Sequence, residues 1–252
     1  MRPRYTYGDS ELAGDRLELV ARLFEPTSAP FLRTAVAEPP PLALDLGCGP
    51  GLTTALVHRT TGAVQTVGLD RSHTFARRAR ASAGLGFVVA DVVDAGLPCR
   101  SPSLIYARLL VAHLSDPSGA IGRWATTLVP EGRILVDDLE SIEADGVFRS
   151  YLDDVALAVI RAHGGTLFVG PALHAATDPP GLARVHDEVA PVTPAPAETA
   201  RVFAMNLAVL TENRELRPRP DLATELEAIA AGERSCDPVR WRFRQIAWER
   251  TG

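Results

Sequence analysis

A glycine-rich loop directly after a short apolar segment is the feature of this sequence best suited to holding a ligand. Residues Leu42–Leu46 run into Gly47-Cys48-Gly49-Pro50-Gly51, where glycines stand at alternate positions, and a helical pattern follows. Glycine lets the backbone turn sharply and lets a ligand approach the main chain, whose N–H groups stabilise negative charge at a helix N-terminus. A dinucleotide-binding loop would be GxGxxG, with its third glycine at Leu52, whereas this loop is GxGxG with Asp45 two positions ahead. The loop predicts a ligand site, with a simple strand–helix turn as the alternative.

Two aspartates follow the next two apolar segments. Asp70 ends the run Val67-Gly68-Leu69, nineteen positions after Gly51, and Asp91 comes directly after Phe87–Ala90. In nucleotide-binding α/β folds, an acidic group at the first of these places accepts hydrogen bonds from ribose hydroxyls. A carboxylate at the second place can accept a hydrogen bond from the exocyclic amine of adenine. Helix capping is the alternative role for both side chains.

The elements that must position these residues alternate in kind. Apolar runs occupy Leu42–Leu46, Ala63–Leu69, Leu85–Ala90, Ser103–Ala107 and Arg133–Val136, and helical patterns lie between them at Leu52–Arg59, His73–Ala83 and Ser118–Leu128. Strands that are apolar along their whole length and alternate with helices are typical of a parallel sheet covered on both faces. We therefore predict an α/β fold with an open, doubly wound core.

Further helical patterns flank this core. Before it, one helix is expected from Asp9 to Phe24, ended by Pro26, and a second short one over Thr27–Val36. After it, helices are expected at Gly146–His163, Ala195–Asn213 and Asp221–Gly232, and strands at Leu182–Val192 and Arg240–Glu249. The two added strands make a mostly parallel sheet of seven. In the last strand the apolar positions change phase, which predicts a bulge or a change of buried face near Gln245.

The predicted organisation is one domain over residues 1–252. Residues 1–36 form an N-terminal helical cover, 37–140 the ligand-binding core, 141–232 a second helical cover that contains a strand near 182–192, and 240–249 a terminal strand. The apolar faces of the covering helices need a surface to pack against. We expect that surface at the carboxyl ends of the strands.

Composition and charge narrow the function classes. With 31 acidic and 26 basic residues the net charge is −5, whereas proteins that neutralise many phosphates are usually basic, so we expect no nucleic-acid partner. No apolar run reaches the roughly 18 residues of a membrane span, and no apolar signal segment follows Met1–Tyr5. Three scattered cysteines exclude a disulfide framework, and the histidines lack metal-ligand spacing. We predict a cytoplasmic protein without metal that takes a small molecule as its partner; a homodimer stays open.

The same residues resemble the successive motifs of class I S-adenosylmethionine-dependent methyltransferases. The resemblance covers Asp45–Gly51, Asp70, Asp91-Val92 and the turn Leu128–Arg133, over about residues 40 to 140. The segment from Ala107 to Pro117 is similar to the small-molecule branch that includes ubiquinone and menaquinone methyltransferases. One departure is Glu131, where the family commonly has glycine. The resemblance implies a Rossmann-like methyltransferase fold and the cofactor S-adenosyl-L-methionine.

The resemblance also implies a role for each residue of the cofactor site. The backbone at Gly47 and Gly49 would hold the methionine part, Cys48 and Gly51 complete the loop, and Asp45 would reach the ammonium directly or through water. Asp70 would accept hydrogen bonds from the ribose hydroxyls, with Arg71 beside the adenine. Asp91 and Val92 would frame the adenine edge. The main chain of Arg108 would accept a hydrogen bond from the cofactor's amino group.

Methyl transfer from a sulfonium needs a base only where the acceptor must lose a proton. His113 is the leading candidate, because it follows the fourth strand and imidazole titrates near neutrality; packing or capping of the next helix is the alternative. Asp137, Asp138 and Glu140 follow the fifth strand, where they either face the substrate or are solvated. Candidates for the acceptor pocket are Tyr7, Tyr151, Arg161 and His174.

These observations predict an enzyme that methylates a small molecule, in bacterial natural-product tailoring. The alternative within enzymes is a quinone-pathway C-methyltransferase. From a different class, a protein of this fold can bind the cofactor without transferring methyl groups, as a cyclase or as a non-catalytic partner.

Overall fold

Seven strands form one sheet in the part of the chain that the structure describes. The computed structural model describes residues 7–83, 85–93, 97–99 and 101–252, so the first six residues of the predicted N-terminal cover lie outside it. The strands are β1 Leu42–Leu46, β2 Gln65–Asp70, β3 Gly86–Val89, β4 Leu104–Arg108, β5 Arg133–Glu143, β6 Leu182–Val192 and β7 Arg240–Arg250.

The strand order is β3-β2-β1-β4-β5-β7-β6. Strands β1 to β5 pair in parallel, and β7 lies antiparallel between β5 and β6. This confirms the predicted α/β class and the open, mostly parallel, seven-stranded sheet. Because the order reverses between β1 and β4, the crossing connections leave a crevice at the carboxyl ends of these strands, where ligands of such sheets bind.

Helices cover both faces of the sheet. They are α1 Glu11–Ala35, α2 Leu52–Thr61, α3 His73–Ala83, α4 Pro117–Ala125, α5 Gly146–Tyr151, α6 Leu157–Ala162, α7 Gly170–Ala175, α8 Pro196–Glu212 and α9 Pro220–Ala230. Alternate residues of the strands enter different clusters: Ile105 packs with Trp124 of α4, and its neighbour Tyr106 packs with Leu32 and Leu56 of α1 and α2. Within the described ranges, no helix has both the length and the apolar character that crossing a membrane requires.

The prediction that Pro26 ends the first helix is wrong, because α1 continues through Pro26 and Pro30 as one helix of 25 residues. Proline removes the hydrogen bond to the fourth residue before it. Burial outweighs this loss, since the first half of the helix packs in the cover and the second half on the sheet. Two other carbonyls of this stretch accept hydrogen bonds from side chains: Thr27 Oγ1 donates to Phe24 O at 2.8 Å, and Gln245 Nε2 donates to Thr27 O at 3.1 Å.

The predicted irregularity near Gln245 lies in the neighbouring strands instead. Strand β7 pairs without a break, whereas β5 carries an extra residue at Glu140 and β6 carries one at Val185. From Phe243 to Trp248 both faces of β7 are buried, so the change of apolar phase needs no bulge in β7 itself. In the turn before β5, Glu131 has φ 64°, the left-handed conformation that favours the glycine common in the family.

A helical cover packs over the carboxyl ends of the strands. Segments α5 and α6 are joined by one π-helical stretch, Leu152–Ala156, and pack with α8, α9 and the first half of α1 in a single apolar cluster. Phe24, Phe203 and Trp241 are buried within it. The cover thus forms a second core above the sheet, and the short helix α7 is an element that the sequence pattern did not predict.

Candidate functional site

One cavity of about 980 Å³ lies between the sheet and the cover. Its loop end is lined by the glycine loop and the ends of β2, β3 and β4: Gly47, Cys48, Gly49, Pro50, Asp70, Arg71, Asp91, Val92 and Arg108. Its cover end is lined by Tyr7, Arg16, Phe24, Tyr151, Phe203, Asn206 and Trp241. Because both ends belong to the same cavity, two ligands bound there can touch each other.

The three glycines of the loop have left-handed backbones but different surroundings. Gly47 and Gly49 have φ of 67° and 51° and line the cavity. A Cβ at Gly47 would lie 2.9 Å from Leu110 Cδ1, so a side chain there would collide with Leu110. Gly51 has φ 92° and lies behind the loop, where a Cβ would meet Ala79 and Phe87 at 2.9 Å. Gly51 therefore allows the loop to pack against α3 and β3 and does not line the cavity.

Asp70 lines the cavity and also fastens the loop. Its Oδ2 accepts the N–H of Gly49 at 2.9 Å, and its Oδ1 accepts the N–H of Ser72 at 2.8 Å. Burial raises the pKa of this carboxyl, and the two N–H donors counteract part of the rise. Ser72 Oγ caps α3 by accepting the N–H of Phe75 at 3.1 Å, so the alternative role of Asp70 as that helix cap is not what the structure shows. Each oxygen of Asp70 keeps a further lone pair for a ligand.

Asp91 and Val92 form the wall next to Asp70. Asp91 Oδ1 accepts the N–H of Val93 at 2.9 Å, which is a local turn bond of the capping type. The carbonyl of Val92 accepts Trp124 Nε1–H at 2.7 Å, and the Val92 side chain is buried at the cavity wall. Among the described residues no helix begins at Asp91, so the helix-cap alternative is not tested, and Asp91 lines the cavity.

Asp45 lies outside the cavity lining. Its Oδ2 accepts the hydroxyl of Thr54 at 2.7 Å, and burial raises the pKa of this carboxyl to about 6. The direct contact with a bound ammonium that the resemblance implied is therefore not available to Asp45 in this arrangement. Arg108 lines the cavity at the end of β4, but its guanidinium points to α1, where Nη1 donates to Ser28 Oγ at 3.2 Å.

A polar chain crosses the cover end. Arg16 Nε donates to Asn206 Oδ1 at 2.6 Å, and Asn206 Nδ2 donates to the Tyr151 hydroxyl at 2.7 Å. The guanidinium carbon of Arg16 also lies 4.1 Å from the centre of the Tyr7 ring. Sequence reasoning found Tyr7 and Tyr151 but missed Arg16 and Asn206. The available signal was an arginine on the apolar face of α1, four residues before the buried Val20.

Aromatic rings form the rest of the cover end. Tyr151 stacks on Phe203 with ring centres 4.1 Å apart, and Phe203 lies 5.7 Å from Trp241. Phe24 completes the group at 5.1 Å from Trp241. Such ring pairs are stabilising beyond the area they bury. The result is an apolar, aromatic wall with the Arg16–Asn206–Tyr151 chain along one side.

His113 lies between the two ends. It is the last residue of a 3₁₀ turn, Val111–His113, directly after β4, and its ring meets that of Tyr7 edge-on at 6.5 Å. Burial and the positive charges of Arg16, Arg71 and His163 lower the pKa of His113 to about 3. The imidazole is therefore neutral at physiological pH but is a weak base. A general base that titrates near neutrality, the role expected of His113, does not fit this environment.

Asp138 supports the turn that carries His113. Its Oδ2 accepts the N–H of Ala112 at 3.2 Å, and its Oδ1 accepts the N–H of Leu139 at 2.9 Å. Burial raises the pKa of Asp138 to about 7. Asp138 lines the cavity, whereas Asp137 is buried away from it and accepts hydrogen bonds from Ser28 and Tyr106.

Several predicted acceptor residues lie elsewhere. Arg161 is exposed and does not line the cavity. His174 Nδ1 lies 2.8 Å from Asp187 in a cluster of charges that includes the Arg244–Glu140 pair, so His174 and Glu140 are structural. Among the described side chains, no three histidines, cysteines or carboxylates are close enough to hold a metal ion. Burial raises the pKa of Cys48 well above its usual value, consistent with a thiol that only fills space.

Comparison with known proteins supports the core of the chain most strongly. Residues 44–136 match a family model described as a methyltransferase domain. The trans-aconitate 2-methyltransferase of Methylobacterium radiotolerans is 34% identical over 143 residues, which cover 52% of this chain and 55% of the relative. The protein of the same name from Acidovorax ebreus is 29% identical over 140 residues, which cover 55% of this chain and 49% of that relative. The chain thus matches about half the length of these curated relatives.

Solved structures resemble the fold over most of the chain. A "putative methyltransferase" from Bacillus halodurans C-125 superposes with a TM-score of 0.59 at 12% identity, over 90% of this chain and 100% of that one. The plantazolicin methyltransferase BpumL, solved with a monoazolic desmethylPZN analog and SAH, superposes with a TM-score of 0.51 at 12% identity, over 96% of this chain and 90% of that one. At these identities the similarity concerns the fold. Residues 44–136 therefore resemble a methyltransferase domain, and the chain as a whole has a fold similar to that of solved methyltransferases.

Proposed function

We propose that this protein transfers the methyl group of S-adenosylmethionine to a small molecule bound at the cover end of the cavity. The observation that carries the proposal is the single cavity, whose loop end has the glycine loop and Asp70 and whose cover end is aromatic with one polar side. A methyl donor and an acceptor held there would be in contact and shielded by the cover. Such alignment can contribute about 7–11 kcal/mol to lowering the barrier.

The loop end fits the cofactor. Gly47 and Gly49 line the cavity with backbone alone, and Asp70 has lone pairs free for the ribose hydroxyls. We propose that Gly47, Cys48 and Gly49 hold the methionine part of the cofactor. Asp91, Val92 and Arg71 would surround the adenine. The main chain of Arg108 would accept a hydrogen bond from the cofactor's amino group. Asp45 and Gly51 would support the loop from behind. Asp45 would do so through its hydrogen bond with Thr54, and Gly51 by packing against Ala79 and Phe87. When bound, S-adenosylmethionine supplies an electrophilic methyl group on a sulfonium.

A carboxylate is the acceptor group that the surroundings of His113 favour. The positive charges of Arg16 and Arg71 act on this part of the cavity. An anion would be stabilised there, and a carboxylate has no proton to lose, so no strong base is required. The curated relatives are named for trans-aconitate, which is itself a carboxylate. In this proposal the residues of the cover end bind and orient the acceptor.

The biological setting that we propose is natural-product tailoring. A quinone-pathway C-methyltransferase remains the alternative from the sequence analysis. It would require a base for an acidic carbon and would return that role to His113.

Mass spectrometry with S-adenosylmethionine labelled with deuterium on its methyl group tests the proposal. The protein is incubated with a panel of carboxylic acids, their methyl esters, phenols and quinols. We expect S-adenosylhomocysteine and a labelled methyl ester with at least one carboxylic acid. Labelled product from phenols or quinols alone would contradict the carboxylate acceptor. Cofactor binding with no turnover across the panel would favour the non-methylating alternative.

A further inference from the structure

We propose that the guanidinium of Arg108, together with the N-terminus of α2, binds the carboxylate in the methionine part of the cofactor. This inference rests on the proposed function and adds a contact to it, because only the main chain of Arg108 has a role there. With both contacts, one residue would hold the ammonium and the carboxylate of the same amino acid.

The position of Arg108 in the sheet places it on the methionine side of the glycine loop. Strand β1, which runs into the loop, lies between β2 and β4. Asp70 ends β2 and Arg71 follows it, next to the proposed nucleoside site, whereas Arg108 ends β4 on the opposite side of the loop. A nucleoside over the end of β2 would therefore extend its methionine part across the loop towards β4.

The Arg108 side chain projects to the face of the sheet on which α2 packs. Alternate residues of a strand point to opposite faces, and Tyr106, two positions earlier in β4, packs with Leu56 of α2. Arg108 is only 8% exposed, yet it lines the cavity. The first turn of α2 lines the same cavity through Leu52 and Thr53. The buried guanidinium and the start of α2 therefore border one space.

The guanidinium of Arg108 has donors left for a ligand. Its Nη1 donates to Ser28 Oγ at 3.2 Å, and Ser28 Oγ donates to Asp137 Oδ2 at 2.6 Å, which fixes one edge of the guanidinium. In the part of the chain that the structure describes, Nε and Nη2 have no hydrogen-bond partner, and no carboxylate oxygen lies within 4.0 Å of the Arg108 nitrogens. Because arginine has five N–H donors in a planar fork, these nitrogens suit a carboxylate.

The N-terminus of α2, a helix of 10 residues, adds further donors at this place. Its N-cap residue, Gly51, provides no side-chain cap, and its first turn contains no acidic residue. The hydrogen bonds of the helix begin with the N–H of Ala55, which donates to Gly51 O at 3.0 Å, so the N–H groups of Leu52 and Thr53 precede them. Such N–H groups, together with the helix dipole, stabilise an anion.

The neighbouring carboxylates favour a zwitterion over a plain anion. Asp45 and Asp137 lie on the strands that flank β4, two positions after Ala43 and Leu135, which pack on the same face as α2. Burial raises the pKa of both carboxyls, and hydrogen bonds and the charge of Arg108 counteract part of the rise. These carboxylates would repel an anion that arrived alone. The methionine part of the cofactor brings an ammonium together with its carboxylate, so each charge has an opposite charge nearby.

Calorimetric titrations with two ligands test the inference. One ligand is S-adenosylhomocysteine, and the other is its decarboxylated analogue, which keeps the ammonium and has hydrogen in place of the carboxylate. We expect the wild-type protein to bind S-adenosylhomocysteine at least tenfold more tightly than the analogue. Arg108→Gln should weaken S-adenosylhomocysteine at least tenfold and keep the affinity for the analogue within about threefold, and Arg108→Lys should restore part of the loss. Arg123→Gln is the matched control, since Arg123 is exposed and paired with Asp116 outside the cavity.

Three results would overturn the inference while leaving the proposed function intact. Equal affinity of the wild type for both ligands would show that the carboxylate is not recognised. The same difference between the two ligands in Arg108→Gln as in the wild type would assign the carboxylate to other groups. An equal loss of both ligands in Arg108→Gln would show that Arg108 supports the fold of the site without meeting the carboxylate. Failure of the wild-type protein to bind either ligand would instead contradict the proposed function.

Discussion

The carboxylate of Asp70 accepts the backbone N–H of Gly49 at 2.9 Å, which ties the glycine loop to the end of the neighbouring strand. The same carboxylate faces the cavity. One side chain therefore shapes the loop and presents acceptor oxygens to a ligand. This double role makes Asp70 the residue on which the proposed cofactor site depends most.

Substitution of Gly51 by alanine is expected to destabilise the protein more than the same change at Gly62. Both glycines have a positive φ, of 92° and 67°, so alanine costs about 1–2 kcal/mol at either position. At Gly51 the added Cβ also meets Ala79 and Phe87 at 2.9 Å, whereas at Gly62 the nearest atom is 3.7 Å away. Overpacking should add roughly 1–3 kcal/mol at Gly51. Urea denaturation measures both variants, and equal losses of unfolding free energy would refute the packing role of Gly51.

Asp138→Asn is expected to change how stability depends on pH. The pKa of Asp138 is raised to about 7 in the folded protein from 3.8, so the folded state binds this proton more tightly than the unfolded state. Its contribution to stability is present at low pH and is lost as pH rises through about 7. Between pH 5 and pH 8 the wild-type protein should lose roughly 3 kcal/mol of unfolding free energy from this group.

The asparagine variant lacks that titration, so its unfolding free energy should fall less over the same range. The readout is the difference between the two proteins in the slope of unfolding free energy against pH. Other groups titrate equally in both proteins, and a uniform loss of stability does not change this slope. Parallel curves for the two proteins would show that Asp138 has an ordinary pKa.

His113→Ala is expected to keep turnover of a carboxylate acceptor within about tenfold. The pKa of His113 is lowered to about 3, and a carboxylate has no proton to remove. The wild-type rate at saturating substrate should therefore stay level between pH 6 and pH 8 with respect to this group. A loss of about 10²–10⁴ in turnover, with unchanged affinity for S-adenosylhomocysteine, would show that His113 acts as the general base.

The core of the fold could be predicted because its signals are local. Each apolar run with a flanking glycine or aspartate is one strand and its end, and the loop at Gly47–Gly51 is continuous in sequence. The first helix was divided wrongly at Pro26, because the energy that keeps it whole comes from burial of Phe24 and Leu32 in two different clusters. Local propensity does not report such tertiary packing.

The cover end could be predicted only in part. Arg16, Asn206 and Trp241 come together from α1, α8 and β7, which lie far apart along the chain. Their contacts depend on how the cover helices pack, and one sequence contains no record of that packing. The prediction that His174 lies in the acceptor pocket was wrong for the same reason. Its position after the long helix was compatible with the cavity, but His174 pairs with Asp187 at the far edge of the sheet.

The most direct test of the account is a calorimetric titration of the protein with S-adenosylhomocysteine, in the wild type and in Asp70→Ala. Asp153→Ala is the control, since Asp153 is exposed outside the cavity. Hydrogen bonds to a charged group contribute about 1.5–3 kcal/mol each. We predict one site per chain, an affinity at least tenfold weaker in Asp70→Ala, and no change in Asp153→Ala. Absence of binding to the wild type, or equal affinity in all three proteins, would contradict the assignment of the loop end as the cofactor site.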